Sequence, residues 1–292
     1  MVHFLYSAFS DESGEDTLQG QIDACKRNGI THMELRGFGA DESINTVSTD
    51  TAKQMRAVLD SNDMQLSAIG SAYGKINIKE DFAPHFEAFK NTVEVAKILG
   101  APYIRMFSFY FDADDDYAEN RDKVLQQVRA MVEYAYDNGI QCCHENEKGI
   151  YGDTAERCLD LLQNVPHLRG VFDPANFVQC GVDTLHAFEL LEPYTEYLHI
   201  KDAFYADGSV VPAGLGEGNV AEILRRISSR DGDLILTLEP HLQVFAGLEH
   251  LEANGETERA MPTHAYPSHA ASFRAAADAL KALTASLVKE TP

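Results

Sequence analysis

Short apolar runs alternate with longer amphipathic segments along the chain, and this alternation occurs eight times. Short apolar runs rich in β-branched and aromatic residues are typical of strands, whereas apolar positions spaced by three and four residues indicate helices. Strands that alternate with helices are typical of parallel strands joined by crossover helices. The pattern therefore predicts an α/β fold, a (β/α)8 TIM barrel, with a single domain over residues 1–292.

Glycines and capping residues mark the ends of the predicted helices. The predicted strands are 2–9, 32–35, 65–69, 103–110, 140–143, 168–172, 196–200 and 234–238. The predicted helices are 18–28, 51–61, one from Phe82 through Ala96 that Gly100 ends, 121–138, 155–165, 184–191, 220–228 and 268–288. A glycine-rich loop, 214–218, is flexible enough that we expect it to move over a binding site. A long polar loop with Phe245 and Leu248 precedes the last helix.

The chain is strongly acidic, with 46 Asp and Glu residues against 24 Lys and Arg residues and a formal charge of −22. Such a surface repels nucleic-acid phosphates and anionic membranes, so we expect neither as a partner. The first residues show no leader pattern, and no segment has the length of a membrane span. The five cysteines include no C-x-x-C pair, which predicts a reduced, cytoplasmic protein. The sequence leaves homo-oligomer formation open.

Four ligand-type side chains stand at the ends of four successive predicted strands. Glu145 and Asp173 follow the fifth and sixth strands, His199 lies at the end of the seventh, and Glu239 follows the eighth. The carboxyl ends of barrel strands meet at one mouth, where such barrels keep their chemistry, so these groups should converge. Three carboxylates and an imidazole would repel one another there without a cation, and the sequence therefore predicts one divalent metal ion. Glu147 competes for the strand-five position, but Glu145 lies nearer the strand and is better held.

Oxygen-rich ligation with one histidine favours Mn²⁺, Mg²⁺ or Co²⁺ as the cofactor, and Zn²⁺ remains an alternative. Each ligand residue alone would be explained by a solvated or capping role, and only the joint placement on four strand ends favours a site. Four further side chains at or beside strand ends are predicted substrate contacts, namely Arg105, His144, Asn176 and Lys201. Arg105 and Lys201 have the alternative role of neutralising nearby carboxylates.

The ligand residues lie in four motifs, H-E-N-E-K-G-I-Y-G-D-T, F-D-P-A-N-F, H-I-K-D and L-E-P-H. With these motifs the chain resembles the xylose isomerase-like TIM barrel superfamily, and within it the sugar phosphate isomerase/epimerase family, over nearly its whole length. The resemblance implies that Glu145, Asp173, His199 and Glu239 bind one divalent metal ion. It also implies that the two glutamates, Glu145 and Glu239, form the catalytic acid/base pair of an epimerase.

The resemblance implies proton abstraction beside the carbonyl of a small-molecule carbohydrate, a ketose or keto-sugar, with the metal stabilising the enediolate. The chain departs from several ketose epimerases at Asn176, where they have a histidine, and at Lys201. The first predicted function is that of an isomerase or epimerase. The second is that of a dehydratase or lyase of a keto-sugar, keto-glycoside or keto-inositol. An abasic-site endonuclease is a remote third, because it needs histidines at earlier strand ends, where this chain has Glu34 and Gly70. A barrel that binds without catalysis is the remaining alternative.

Overall fold

The computed structural model describes residues 2–39, 42–112, 114–243 and 266–289. Within them, eight parallel strands close into a barrel in which the first strand pairs with both the second and the last. The strands are β1 Val2–Phe9, β2 His32–Leu35, β3 Gln65–Gly70, β4 Tyr103–Met106, β5 Gln141–Glu145, β6 Arg169–Phe172, β7 Thr195–Ile200 and β8 Gly232–Leu238. The predicted (β/α)8 TIM barrel is confirmed, whereas the extent of one domain over 1–292 stays a prediction.

Nine α-helices in the described residues surround this barrel. They are α1 Leu18–Arg27, α2 Thr49–Ser61, α3 Phe82–Leu99, α4 Tyr117–Asp137, α5 Ala155–Asn164, α6 Pro174–Gln179, α7 Thr184–Leu191, α8 Val220–Ile227 and α9 His269–Lys289. A Ser, Thr or Asp side chain accepts a backbone hydrogen bond at the start of each helix from α1 to α7, as is typical of N-caps. The described helices include none with both the length and the apolar composition needed to cross a membrane.

Strand β4 is shorter than the predicted segment 103–110, and this part of the prediction is wrong. The strand ends at Met106, and the N–H of Phe109 then donates to the carbonyl of Gly74, 2.7 Å away, outside the sheet. Phe109 has a φ of 70°, in the left-handed region that a regular strand does not contain. Strand β5 is longer than predicted and includes Glu145 as its last residue. Phe245 and Leu248 of the predicted polar loop lie outside the described residues.

The barrel interior changes from apolar to charged along its axis. Ala68, Cys143, Val171 and Tyr197 form a buried apolar cluster inside the barrel. Alternate residues of a strand share a face, so the residues two positions further along β5 and β7 also point inward. One of them is His199, whose ring centroid lies 5.6 Å from that of Tyr197. The strands thus deliver ionisable side chains to the carboxyl-terminal mouth, above a small apolar plug.

The glycine-rich loop after β7 is fastened to a buried carboxylate. Asp202 accepts hydrogen bonds from the N–H groups of Gly214, Gly216 and Gly218 at 2.8, 3.0 and 2.8 Å. It also accepts one from the N–H of Ala203 at 3.0 Å. A Cβ atom on Gly216 would lie 2.5 Å from Asp202 Oδ1, so only glycine permits this approach. The glycines therefore serve close contact with Asp202, and this finding gives no support to the expected movement of the loop.

Replacing Asp202 with alanine should lower the free energy of unfolding by about 2–4 kcal/mol. Each buried N–H left without an acceptor costs about 1–3 kcal/mol, but some of the N–H groups of the loop can form hydrogen bonds with water instead. Denaturant titrations of the wild type and the variant would measure the difference. Asp137→Ala, which changes an exposed aspartate of α4, is the control and should shift it by less than about 0.5 kcal/mol. Equal midpoints for Asp202→Ala and the wild type would contradict the assigned role.

Candidate metal centre

The four predicted metal ligands meet at the carboxyl-terminal mouth of the barrel. Glu145 ends β5, Asp173 caps α6 directly after β6, His199 lies in β7, and Glu239 follows β8. One ligand atom from each residue lies within 4.8 Å of the chosen atoms of the other three. All four side chains are buried. The structure therefore brings together the four residues whose positions at the ends of parallel strands predict that they converge.

The geometry and chemistry of this cluster fit one divalent cation. Oxygen and nitrogen ligands lie about 2.0–2.5 Å from such ions, so ligand atoms on opposite sides of one ion are about 4–5 Å apart. Asp173 Oδ2 is buried and accepts no hydrogen bond from the described residues, although Lys201 Nζ lies 3.1 Å away. Burial raises the pKa of Asp173 to about 7; Lys201 opposes this rise, and Glu239 and Glu145 add to it. A cation would relieve both the unsatisfied oxygen and the repulsion among the carboxylates.

His199 lies between three carboxylates. Its Nδ1 atom is 2.9 Å from Glu145 Oε1 and 3.4 Å from Glu239 Oε2, whereas its Nε2 atom is 3.1 Å from Glu34 Oε2. Burial alone would lower the pKa of His199, but Glu145 and Glu34 raise it well above its ordinary value. With Nε2–H donating to Glu34, the lone pair of Nδ1 is left for a metal ion, whose binding would displace the proton held there.

Glu34 is a buried residue of this centre that sequence reasoning did not assign to it. Besides His199, it accepts a hydrogen bond from the Tyr197 hydroxyl, 3.0 Å from Oε1. A carboxylate behind a metal-binding imidazole fixes the tautomer and orientation of the ring. The sequence does contain an indication of this role. Glu34 and, just after the strand, Arg36 alternate with Leu35, and alternate residues of a barrel strand face the interior.

Glu34→Gln should weaken binding of Mn²⁺ by about 10–100-fold, the range found when a carboxylate behind a metal ligand is lost. Glutamine keeps the size of the side chain but removes the charge that holds Nε2–H. Titration of metal-free protein with Mn²⁺, followed by the signal of free Mn²⁺ in electron paramagnetic resonance, would measure the affinity. Glu94→Gln, which changes a half-buried glutamate of α3 outside the barrel mouth, provides the control. Unchanged affinity in Glu34→Gln would show that the carboxylate does not support the ligand.

Two cations hold the carboxylate of Glu239. Arg36 Nη1 lies 3.1 Å from Oε1, and Lys201 Nζ lies 3.3 Å from Oε2. Burial would raise the pKa of Glu239, but the charge of Lys201 helps to hold it well below its ordinary value. Lys201 pairs with Asp173 and Glu239, not with its chain neighbour Asp202. Glu239 is therefore ionised at neutral pH.

A second group of ligand-type side chains comprises Glu12, Glu239 and His241. The guanidinium of Arg36 already occupies the position of a cation in this group. Its Nη2 atom is 3.1 Å from Glu12 Oε1, and its Nη1 atom is 3.1 Å from Glu239 Oε1. Burial raises the pKa of Glu12 to about 8 and lowers the pKa of His241 to about 4, so both are largely uncharged at neutral pH. We therefore assign no metal ion to this group.

Three of the four predicted substrate contacts reach one small cavity beside the cluster. Arg105, Asn176 and Lys201 line it together with Glu145 and Glu239. The amide nitrogen of Asn176 donates to Glu145 Oε1 at 3.2 Å and so helps to position that carboxylate. The contacts of these three side chains with a substrate stay a prediction, but their placement is compatible with it.

The structure does not bring His144 to this cavity. Adjacent residues of a strand face opposite sides, so His144 points away from the barrel axis while Glu145 points inward. Its Nε2 atom lies 2.9 Å from Ser108 Oγ. Glu147 stands at the edge of the cavity, 3.2 Å from Lys75 Nζ, and is not part of the four-residue cluster.

A wider cleft lies beside the cavity at the barrel mouth. The cleft has a volume of about 1070 Å³ and shares Lys75, Glu147 and Gln179 with the cavity. Within the described residues, the carboxyl ends of β2 and β3 carry Glu34 and Gly70 and no histidine. The space for a small molecule therefore lies in the cleft, since the cavity beside the cluster has a volume of about 10 Å³. The described strand ends lack the extra ligands expected for an abasic-site endonuclease.

Comparisons with known proteins agree with this architecture. A model of the family described as xylose isomerase-like TIM barrel matches residues 22–261. The 3-dehydroshikimate dehydratase of Bacillus anthracis is 23% identical over an alignment of 231 residues, and the match covers 73% of this chain and 81% of that protein. A crystal structure of D-psicose 3-epimerase in the presence of D-fructose aligns with a TM-score of 0.73 at 16% identity, covering 97% of this chain and 99% of that chain.

A xylose isomerase-like TIM barrel protein from Mycobacterium smegmatis, solved in complex with magnesium, aligns with a TM-score of 0.64 at 16% identity. The alignment covers 92% of this chain and 89% of that one. These structural likenesses establish the fold, whereas the family model covers most of the sequence itself. The chain therefore belongs to the xylose isomerase-like TIM barrel family.

Proposed function

We propose that this protein is a divalent-metal-dependent isomerase or epimerase of a ketose or keto-sugar. The observation that carries the proposal is the approach of Glu145 and Glu239 to His199 Nδ1, to 2.9 and 3.4 Å. The two glutamates come from β5 and from the end of β8, which flank β6 and β7 in the barrel. Two carboxylates that enter one cavity from different sides can remove a proton from a carbon and return it.

Glu239 is the proton acceptor in this proposal, because Lys201 and Arg36 keep it ionised. Glu145, positioned by Asn176, returns the proton. Lys201 donates a hydrogen bond to a substrate oxygen from its place between Asp173 and Glu239. A bound divalent ion would polarise the substrate carbonyl and so acidify the neighbouring carbon.

The donor set supports Mn²⁺, Mg²⁺ or Co²⁺ as the ion, with Zn²⁺ as the alternative, because carboxylates outnumber the single imidazole. The fold likeness to D-psicose 3-epimerase supports a carbohydrate substrate. We also propose that the protein works in the reducing cytoplasm, in keeping with its five free cysteines.

A dehydratase is the second candidate, and the sequence match to the 3-dehydroshikimate dehydratase favours it. Both reactions begin with removal of a proton beside a carbonyl. They differ in the next step, since a dehydratase expels a hydroxyl from the adjacent carbon as water and forms a double bond. The residues proposed for the first step are the same in both.

Product analysis in D₂O tests the proposal and separates the two candidates. The Mn²⁺-loaded protein would be incubated with a panel of ketoses and with 3-dehydroshikimate, and products followed by NMR and mass spectrometry. An isomerase or epimerase gives a product that carries deuterium on the carbon that receives the proton, without loss of water. Loss of water from the product would favour the dehydratase. A panel that shows neither exchange nor dehydration would contradict both.

A further inference from the structure

Arg105 is a buried cation, and two of its three guanidinium nitrogens have no hydrogen-bond partner in the described part of the protein. Its side chain is 2% exposed, and neither Nε nor Nη2 has a hydrogen-bond partner there. Its nearest carboxylate oxygens are Glu145 Oε2, 3.4 Å from Nε, and Glu34 Oε1, 4.0 Å from Nε. A charge-assisted N–H···O bond is about 2.7–2.9 Å long, so these contacts are electrostatic only. Buried donors are normally bonded, and their exceptions call for a physical cause.

Aromatic rings pack against the guanidinium of Arg105, while its buried Nε and Nη2 atoms have no hydrogen-bond partner in the described residues. Arg105 Cζ lies 4.6 Å from the ring centroid of Phe107 and 5.2 Å from that of Phe9, so two aromatic rings pack on the group. Arg105 also lines the cavity that contains Glu145 and Glu239. Rings that pack against the guanidinium fix its plane, and its N–H donors then form a planar fork suited to a carboxylate.

The charges around the cavity are balanced, so an anion would not be repelled there once a metal ion is bound. Lys75, Arg105 and Lys201 contribute three positive charges, and Glu145, Glu147 and Glu239 contribute three negative charges. The formal charges of these side chains cancel, and the two positive charges of a divalent ion would be balanced by Asp173, one of its predicted ligands, and by Glu34, 4.0 Å from Arg105. With the ion bound the centre is therefore close to neutral, and it does not repel an anionic ligand as the whole chain, with a formal charge of −22, would.

We propose that Arg105 binds a carboxylate of the substrate, which is therefore a hydroxylated keto acid and not a neutral ketose. This inference rests on the proposed function and narrows it to a class of substrate. Glu145 connects the two ends of the site, because Oε2 faces Arg105 and Oε1 faces His199. The substrate carboxylate would therefore lie on the Arg105 side of Glu145, and the metal ion on the His199 side. An arginine fork also accepts phosphate, and the experiment below separates the two anions.

Matched pairs of ligands test this inference in the Mg²⁺-loaded protein by equilibrium dialysis. The pairs are 3-dehydroshikimate with its methyl ester, and D-fructuronate with D-fructose; D-fructose 1-phosphate is the phosphate probe. We expect at least one acid to bind about tenfold or more tightly than its neutral partner, since hydrogen bonds to charged groups contribute about 1.5–3 kcal/mol. In Arg105→Met this ratio should fall to about one, and in Arg105→Lys it should be intermediate because the fork is lost.

The ratio is taken within each variant, so a general loss of binding does not affect it. Arg121→Met provides the control, since Arg121 pairs with Asp160 away from the cavity and its loss should leave the ratio at the wild-type value. Equal binding or no binding of both members of each pair in the wild type overturns the inference, as does an acid preference that persists in Arg105→Met. A preference for the phosphate alone overturns the carboxylate assignment. The proposed function is tested separately by deuterium exchange. If a neutral ketose exchanges its hydrogen for deuterium while no acid binds more tightly than its neutral partner, the proposed function stands and only this inference fails.

Discussion

Glu239→Gln and Glu145→Gln should each slow the exchange of substrate hydrogen for deuterium by about a hundredfold or more, the range of general-base loss. Glutamine keeps the length of the side chain and one oxygen that can face a metal ion. It cannot accept a proton from carbon. Since Lys201 and Arg36 hold Glu239 ionised, the loss of its charge should affect the rate more than the binding of substrate.

The measurement is the rate of deuterium incorporation beside the substrate carbonyl, for a ligand that the Mn²⁺-loaded wild type exchanges. Metal affinity of each variant is measured in parallel, so that a lost ion is not mistaken for a lost base. Glu147→Gln is the matched control, because Glu147 lies at the edge of the same cavity but outside the ligand cluster. If Glu147→Gln lost exchange while the other two variants kept it, the catalytic assignment would be wrong.

Removal of the metal ion should abolish exchange and lower the melting temperature. Ligand present at 100 times its dissociation constant stabilises the folded state by about 2.7 kcal/mol, and for a chain of this size we expect a shift of about 5 °C. The carboxylates of Glu145, Asp173 and Glu239 would then face one another without the cation, which adds to the loss.

Calorimetric scans of the protein before and after EDTA treatment, with elemental analysis of both samples, would check this expectation. Adding Mn²⁺ back should restore both activity and melting temperature. Asp173→Asn supplies the control, since a weakened site should leave the melting temperature insensitive to EDTA. Full exchange by a chelated sample that contains no metal would refute the assigned centre.

The cluster that could hold a metal ion is predictable because topology alone brings its residues together. Parallel strands in a closed barrel end at one mouth, so Glu145, Asp173, His199 and Glu239 converge whatever the details of packing. The same rule of alternation excludes His144 from that mouth, since it precedes an inward-facing Glu145. Contacts across the barrel are different: the approach of Glu34 to His199 joins strands β2 and β7, whose separation depends on the closed geometry.

The errors along the chain have local causes. Residues 107–110 are apolar and aromatic and so imitate a strand, but Phe109 turns into the left-handed region and bonds to Gly74 outside the sheet. Helix α6 was missed because it has only six residues, although Asp173 as N-cap and Pro174 at the first position are a recognisable start. The glycines of 214–218 predict a mobile loop, but Asp202, the buried acceptor that fixes the loop, lies twelve residues before Gly214. Local composition therefore does not reveal this contact.

The fastening of the loop by Asp202 also limits how this barrel can be recombined with its relatives. A chimera that imported a loop with larger residues at positions 216 and 218 would place Cβ atoms 2.5 and 2.8 Å from Asp202 Oδ1. A chimera therefore has to take Asp202 and the glycines of the loop from the same parent protein. Libraries that vary the rim for new substrates have more freedom at Leu215, which is 61% exposed, than at the glycines on either side.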